Sequence, residues 1–135
     1  MQFNNILKNI YRNIIFSKSI LSHKFRIPSN YNDTSTEFVN NNNLSSTTKY
    51  LIWVDTNNFQ VNIFSGSKNK WKLVKNYICS IGKSSTPTPL GTFKVGAKGF
   101  SFGENHGYIC YYYTQFKGNY LFHSIIYNPD NTVRD

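Results

Sequence analysis

Glycine is absent from the first fifty residues of this 135-residue chain, and asparagine crowds them instead. All eight glycines and both tryptophans come after residue 50. A segment with many asparagines and little apolar material beyond its first twenty residues cannot bury enough surface to form a core. We therefore predict that residues 1–49 are mostly linker, apart from a helix near residues 3–21. Residues 50–135 should form the folded domain, and limited proteolysis should leave a core that starts near residues 47–50.

Long hydrophobic runs are also lacking at the N-terminus. The opening sequence MQFNNILKNIYRNIIFSKSIL has apolar residues at roughly helical spacing, but asparagine, lysine or arginine interrupts every apolar run. This pattern predicts no integral membrane span and no clear signal peptide. A basic amphipathic helix at a membrane surface stays open as an alternative.

Acidic residues are scarce: six stand against fifteen lysines and arginines, which gives a formal net charge of +9. The lysines after residue 50 are spread singly along the chain. A nucleic-acid-binding module more often concentrates its positive charge on one face or helix. We therefore expect no nucleic-acid partner. Diffuse positive charge suits an acidic polymer such as a bacterial wall, and it equally suits plain solubility.

Residues that bind metals or act as nucleophiles are few. The histidines lie far apart, with no cysteine or carboxylate pair at ligand spacing, so we expect no metal and no cofactor. A serine nucleophile of the G-x-S-x-G type is absent as well. Cys79 and Cys110 could form one disulfide, but strand-type residues flank both, which favours small buried thiols. Neither has a basic neighbour close in sequence that would activate it.

The pattern after residue 50 predicts an all-β domain. YLIWVD and QVNIF predict a hairpin, because runs of β-branched and aromatic residues flank the asparagine-rich break TNNF. KSSTPTPLG cannot be regular structure, since its prolines remove backbone donors and restrict the residues before them. AKGFSFGENHG predicts a glycine-rich loop. Further strands are predicted for WKLVKNYICSIG, TFKVG, YICYYYTQF and NYLFHSIIY, the last two joined by the turn KGN.

No segment after residue 50 has a convincing helical period, so the expected architecture is an antiparallel sheet or a β-sandwich. The last predicted strand contains the polar pair His123-Ser124 inside an apolar run. A histidine in a strand is more often structural than catalytic. The pair therefore needs support from other parts of the sequence before a function can be assigned to it.

That support comes from a family resemblance. The stretches G-K-S-S-T-P-T-P-L-G-T-F (residues 82–93), F-K-G-N-Y-L-F-H-S (residues 116–124) and the closing Y-N-P-D-N-T-V-R-D resemble the L,D-transpeptidase catalytic domain, the YkuD family of bacterial cell-wall enzymes. The resemblance covers about residues 48–135. It implies a β-sandwich of the L,D-transpeptidase catalytic type, which would be incomplete at its C-terminal end.

The resemblance also implies a chemistry and a set of site residues. Family members form a thioester between a cysteine and a peptidoglycan stem peptide, which an amine of a second stem then resolves into a cross-link. His123 matches the histidine that activates the thiol, and Ser124 matches the next position, which helps to orient the imidazole. The expected partner is therefore peptidoglycan, and the expected location is the cell wall. The resemblance also implies that Thr88, Pro89 and Gly91 lie near the substrate, where we expect them to have a structural role first. It further implies Tyr120 as a substrate-binding residue.

One feature departs from the family pattern. The nucleophilic cysteine of the family lies in an S-H-G-C motif beyond the strand and turn that follow the histidine, and this chain reaches Asp135 before such a motif begins. Neither Cys79 nor Cys110 lies in that motif. The sequence therefore predicts an inactive fragment of a peptidoglycan L,D-transpeptidase. The alternative is a non-catalytic wall-binding or regulatory remnant.

Overall fold

The computed structural model describes residues 13–17 and 29–134 of the chain. These residues form nine β-strands, one α-helix and one 3-10 helix. The prediction of a mostly β fold is thereby confirmed, with one short α-helix added to it. The elements in chain order are β1 (Asn13–Ser17), α1 (Tyr31–Asn41), β2 (Tyr50–Asp55), β3 (Gln60–Ser65), β4 (Lys72–Ile78), β5 (Gly91–Lys94), β6 (Ser101–Phe102), the 3-10 helix (Glu104–His106), β7 (Cys110–Tyr111), β8 (Thr114–Lys117) and β9 (Tyr120–Phe122).

The predicted hairpin of residues 50–65 is present. β2 and β3 pair antiparallel from Tyr50 opposite Ser65 to Asp55 opposite Gln60. They lie inside a five-stranded sheet of order β4-β3-β2-β1-β5, in which β1 runs parallel to β2. Almost every residue of β2 and β3 is buried, which is typical of central strands with both faces covered.

Residues 1–49 are not all linker. Helix α1 lies in this segment, and its Val39 belongs to a buried cluster with Trp53, Phe64 and Trp71. The ring of Phe38 stacks on Trp53 at a centroid distance of 4.6 Å. Residues 31–41 are helical and packed because tertiary contacts with the sheet outweigh the polar composition that suggested a solvated tail. The assignment of residues 1–49 as mostly linker stays a prediction.

Asparagine itself takes part in this packing. The side-chain oxygen of Asn40 accepts a hydrogen bond from the backbone N–H of Trp71 (2.8 Å), and its amide group donates to the backbone carbonyl of Trp71 (3.0 Å). The indole N–H of Trp71 donates to the carbonyl of Leu44 (2.8 Å). These bonds satisfy polar groups beside the apolar cluster, which would cost free energy if buried without partners.

The helix expected near residues 3–21 falls mostly outside the described residues. The part that is described, Asn13–Ser17, forms strand β1 and not a helix. Its two adjacent isoleucines and its phenylalanine have high β-propensity, and pairing with residues 52–55 of β2 decides between the two structures. The boundary at residue 50 stays a prediction, which truncated chains can test.

A buried carboxylate connects α1 to the β2–β3 turn. Asp55 is fully buried. Its Oδ2 accepts hydrogen bonds from the hydroxyl of Tyr31 (3.0 Å) and from Asn58 Nδ2 (2.7 Å). Its Oδ1 accepts from the backbone N–H groups of Asn57 (3.1 Å) and Asn58 (3.3 Å). A carboxylate at this depth is tolerated because such donors replace the lost water.

The chain divides after Phe93 into two compact units. In the unit that begins at Lys94, β6 pairs with β7 and β8 pairs with β9, both antiparallel. Two predicted strands are shorter than expected. YICYYYTQF is broken between β7 and β8 at Tyr112, whose φ is 55°, and NYLFHSIIY ends as a strand at Phe122. The predicted turn at Gly118 is present with a φ of 47°.

Candidate functional site

His123 follows directly after the last residue of β9 and is exposed. The β8–β9 hairpin positions it, because Thr114 pairs with Phe122, the residue before it. The sequence pattern had placed His123 in the interior of a strand. In the structure the imidazole instead follows the end of β9. A side chain in this place is anchored by the sheet and is still reachable from solvent.

The imidazole has one defined hydrogen bond. Its Nδ1 lies 2.6 Å from the backbone carbonyl oxygen of Ser124. A carbonyl oxygen only accepts, so Nδ1 must carry the proton in this arrangement. In the neutral ring the Nε2 atom then has a free lone pair. The geometry therefore prepares His123 to accept a proton at Nε2.

Ser124 is held in place by strand β7. Its backbone N–H donates to the carbonyl of Tyr111 (3.0 Å), and its hydroxyl oxygen accepts from the backbone N–H of Tyr111 (2.9 Å). The hydroxyl in turn donates to the carbonyl of Ile125 (2.6 Å). Backbone and side chain of Ser124 are both engaged, so the carbonyl that meets His123 has a fixed position.

Both cysteines are free thiols, and neither is activated. Burial, with a smaller effect of the Asp55 carboxylate, raises the pKa of the Cys79 thiol to about 11. Burial also raises the pKa of Cys110, followed by the Glu104 carboxylate. Because the thiolate is the nucleophile, both side chains are protonated and unreactive near neutral pH.

We expect the free energy of unfolding to fall between pH 9 and pH 11. The pKa of Cys79 lies at about 11 against an ordinary 9.0, and burial likewise raises the pKa of Tyr31. Folded-state pKa values above the unfolded ones confer stability that is complete below the ordinary pKa and is lost as the pH rises. The thiol alone should account for about 2–3 kcal/mol.

Urea unfolding at a series of pH values measures this effect. The variant Cys79→Ser is the control, because it removes the thiol and keeps Tyr31 and every lysine. Its stability should fall less steeply above pH 9 than that of the parent chain. Equal slopes in the two chains would contradict the assignment of the effect to Cys79.

The other residues predicted at the site lie in both units. Tyr120 belongs to the unit of His123, where its ring packs near Phe116 at a centroid distance of 6.2 Å. Thr88, Pro89 and Gly91 belong to the unit that ends at Phe93. Thr88 closes a loop, since its hydroxyl accepts a hydrogen bond from the backbone N–H of Gly82 (2.7 Å). A Cβ at Gly82 would lie 2.2 Å from the Thr86 carbonyl oxygen, so this loop requires glycine there.

Two residues near His123 were not predicted. Phe102 packs its ring at 87° to the imidazole with centroids 5.4 Å apart, and Tyr111 makes the paired backbone bonds to Ser124. Both come from segments that precede His123 by more than ten residues. The sequence carries a weak signal for Phe102, namely its place between glycines in AKGFSFGENHG. It carries none for Tyr111, because strand pairing supplies that contact.

The described residues were also compared with the requirements of a metal site and of a membrane-spanning helix. Within the described residues, no cluster of three histidine, cysteine or acidic side chains could hold a metal ion. The same part of the chain contains no helix with the length and apolar character needed to cross a membrane.

Comparison with known proteins points to one family. The family model of the L,D-transpeptidase catalytic domain (YkuD) matches residues 49–132. A crystal structure from Clostridium acetobutylicum ATCC 824, described as a fused Zn-dependent amidase/peptidase/peptidoglycan-binding domain-containing protein, is similar with 39% sequence identity and a TM-score of 0.66. The match covers 77% of this chain and 43% of that one, so this chain spans less than half the length of that protein. No curated protein matches the chain.

Proposed function

Because this chain belongs to the L,D-transpeptidase catalytic-domain family, we propose that it contributes the histidine half of a cysteine acyltransferase site that cross-links peptidoglycan stem peptides. The observation that carries this proposal is the bond between His123 Nδ1 and the Ser124 carbonyl. It leaves Nε2 able to accept a proton, as a base that activates a thiol requires.

In the proposed reaction the thiol proton passes to Nε2 of His123, and the thiolate attacks a carbonyl of the donor stem. The leaving amine takes the proton back, and a thioester remains. An amine of the acceptor stem then attacks the thioester, again with His123 as base, and the thiol is released. The Ser124 carbonyl favours the imidazolium that forms in each step, because it accepts the Nδ1 hydrogen bond throughout.

The nucleophile of this reaction is neither of the cysteines present. The pKa of both thiols is raised by burial, and an activated thiol needs the opposite shift. Residues 1–135 contain no Ser-His-Gly-Cys sequence. We therefore propose that these 135 residues alone do not catalyse cross-linking.

The proposed substrate is a stem peptide of the cell wall. The proposed location of the protein is therefore the cell wall as well. Thr88, Pro89, Gly91 and Tyr120 are proposed as substrate-binding residues, with Thr88 acting first through the loop that it closes. The net charge of +9 supports association with an anionic wall polymer.

The proposal is tested by supplying the nucleophile. A homologous segment with Ser-His-Gly-Cys is joined after Asp135, and both chains are incubated with muropeptides that carry tetrapeptide stems. Mass spectrometry should detect cross-linked products from the extended chain and none from residues 1–135.

Two outcomes would count against the proposal. Turnover by the unextended chain would show that another group is the nucleophile. A folded extended chain that binds peptidoglycan without cross-linking it would favour the second candidate, a non-catalytic wall-binding module. The raised pKa values of both thiols are the observation that supports this second candidate.

A further inference from the structure

The glycine-rich loop between β5 and β7 has no role in the function proposed so far. It carries Phe102, which is paired with Cys110 in the β6–β7 ladder. The next residue of β7, Tyr111, makes the backbone bonds to Ser124. The same two-stranded ribbon therefore reaches both His123 and the residue whose carbonyl binds it.

Phe102 meets the imidazole almost perpendicularly, at an interplanar angle of 87°. Its ring also meets two tyrosine rings edge-on, Tyr113 at a centroid distance of 5.7 Å and Tyr108 at 6.3 Å. Perpendicular ring contacts at these distances are attractive and directional. Phe102 is thus held from other sides while it contacts His123.

The glycines of the loop make this arrangement sterically feasible. A Cβ at Gly103 would lie 2.2 Å from the ring of Tyr108, and Gly103 also has a φ of +97°. A Cβ at Gly99 would lie 2.3 Å from the ring of Tyr113. Larger residues at these two positions would displace the tyrosines that support Phe102.

We propose that Phe102 is a positioning residue for His123, which keeps the imidazole in the orientation where Nδ1 donates to the Ser124 carbonyl. A rotation of the side chain about its Cα–Cβ bond would carry the imidazole away from the Ser124 carbonyl and break that hydrogen bond. His123 is exposed, so solvent offers no resistance to this rotation. The rotation would also break the perpendicular contact with Phe102, which therefore opposes it, and the paired backbone bonds of Tyr111 keep the carbonyl in place.

This inference rests on the proposed function for its purpose, but its test does not require activity. Nitrogen NMR of the imidazole at about pH 8.5, above the ordinary titration range of histidine, reports which ring nitrogen carries the proton. In residues 1–135 His123 should be mainly protonated at Nδ1, and cross-relaxation should connect its ring protons to those of Phe102.

The variant Phe102→Leu keeps an apolar side chain and removes the ring. The ratio of the Nδ1-protonated to the Nε2-protonated form should then fall about fivefold. Phe102→Tyr keeps the ring and should keep the ratio. Phe100→Leu is the matched control and should keep the ratio. Phe100 lies in the same loop, is 65% exposed, and contacts the rings of Tyr111 and Tyr112.

An unchanged ratio in folded Phe102→Leu, or no cross-relaxation between the two rings in the parent chain, would overturn the inference. Circular dichroism identifies a variant that has not folded, and Phe102→Met then takes its place with the same expected shift. The outcome is separable from the proposed function. Absence of cross-linking by the extended chain would reject the function and leave the imidazole result standing.

Discussion

Changing His123 to alanine in the chain extended with Ser-His-Gly-Cys should lower its cross-linking rate by about 10³-fold. The imidazole Nε2 is the proposed acceptor of the thiol proton, and its orientation depends on the 2.6 Å contact between Nδ1 and the Ser124 carbonyl. Alanine removes both the acceptor and the oriented ring. Because nucleophile and base act as a unit, the loss should approach that caused by removing the cysteine itself.

The matched control is His106→Ala. His106 is exposed, lies in the same compact unit, and stacks near Tyr108 at a centroid distance of 6.3 Å. It has no part in the proposed reaction, so its loss should leave the initial rate unchanged. Rates come from quantitative mass spectrometry of the muropeptide products. An equal loss in both variants would indicate a general effect on folding, and full activity of His123→Ala would refute the assignment of the base.

Removing residues 1–48 should destabilise the chain by about 5 kcal/mol or more, which is comparable to the whole stability of a small domain. The truncation deletes Val39 and Leu44 and uncovers the side chains that they pack against, including Trp53 and Trp71. It also removes Tyr31, a hydrogen-bond donor to the buried Asp55 carboxylate. The shortened chain should be largely unfolded or aggregated.

This truncation keeps every residue that matches the family, since the match begins at residue 49. A chain that starts at Ser29 is the control, because it differs from the shortened one only by α1 and the segment up to residue 48. Both chains lack β1, so urea unfolding and limited proteolysis compare them with and without α1, and the longer chain should be the more stable of the two. Equal stability of the two would restore the linker prediction and the proteolytic core near residues 47–50.

Local sequence patterns were sufficient for part of the fold. The hairpin of β2 and β3 follows from two β-branched and aromatic runs around an asparagine-rich break, and Gly118 takes the positive φ expected of its turn. The irregular segment around Pro87 and Pro89 follows from the missing donors and restricted geometry of proline. In each case the deciding forces act between residues close in the chain.

Packing of distant segments decided what the sequence alone had misjudged. Helix α1 is ordered because Val39 fills a cluster built from β2, β3 and Trp71, and no composition rule for residues 1–49 contains that information. Strand β1 forms where a helix was expected, because pairing with β2 satisfies its backbone. The raised pKa of Cys79 depends on burial in the folded unit, which the sequence indicated only as a tendency.

By itself the sequence determined the family and singled out His123 as a candidate, because short motifs carry the chemistry of a site in residue types and spacing. Only the tertiary structure decided how the imidazole is held. Ser124 is adjacent in the chain, but the partners that hold Ser124 and the ring in place, Tyr111 and Phe102, come from strands β7 and β6. Contacts across a sheet leave no periodic trace in sequence, since they depend on which strands pair and in which register.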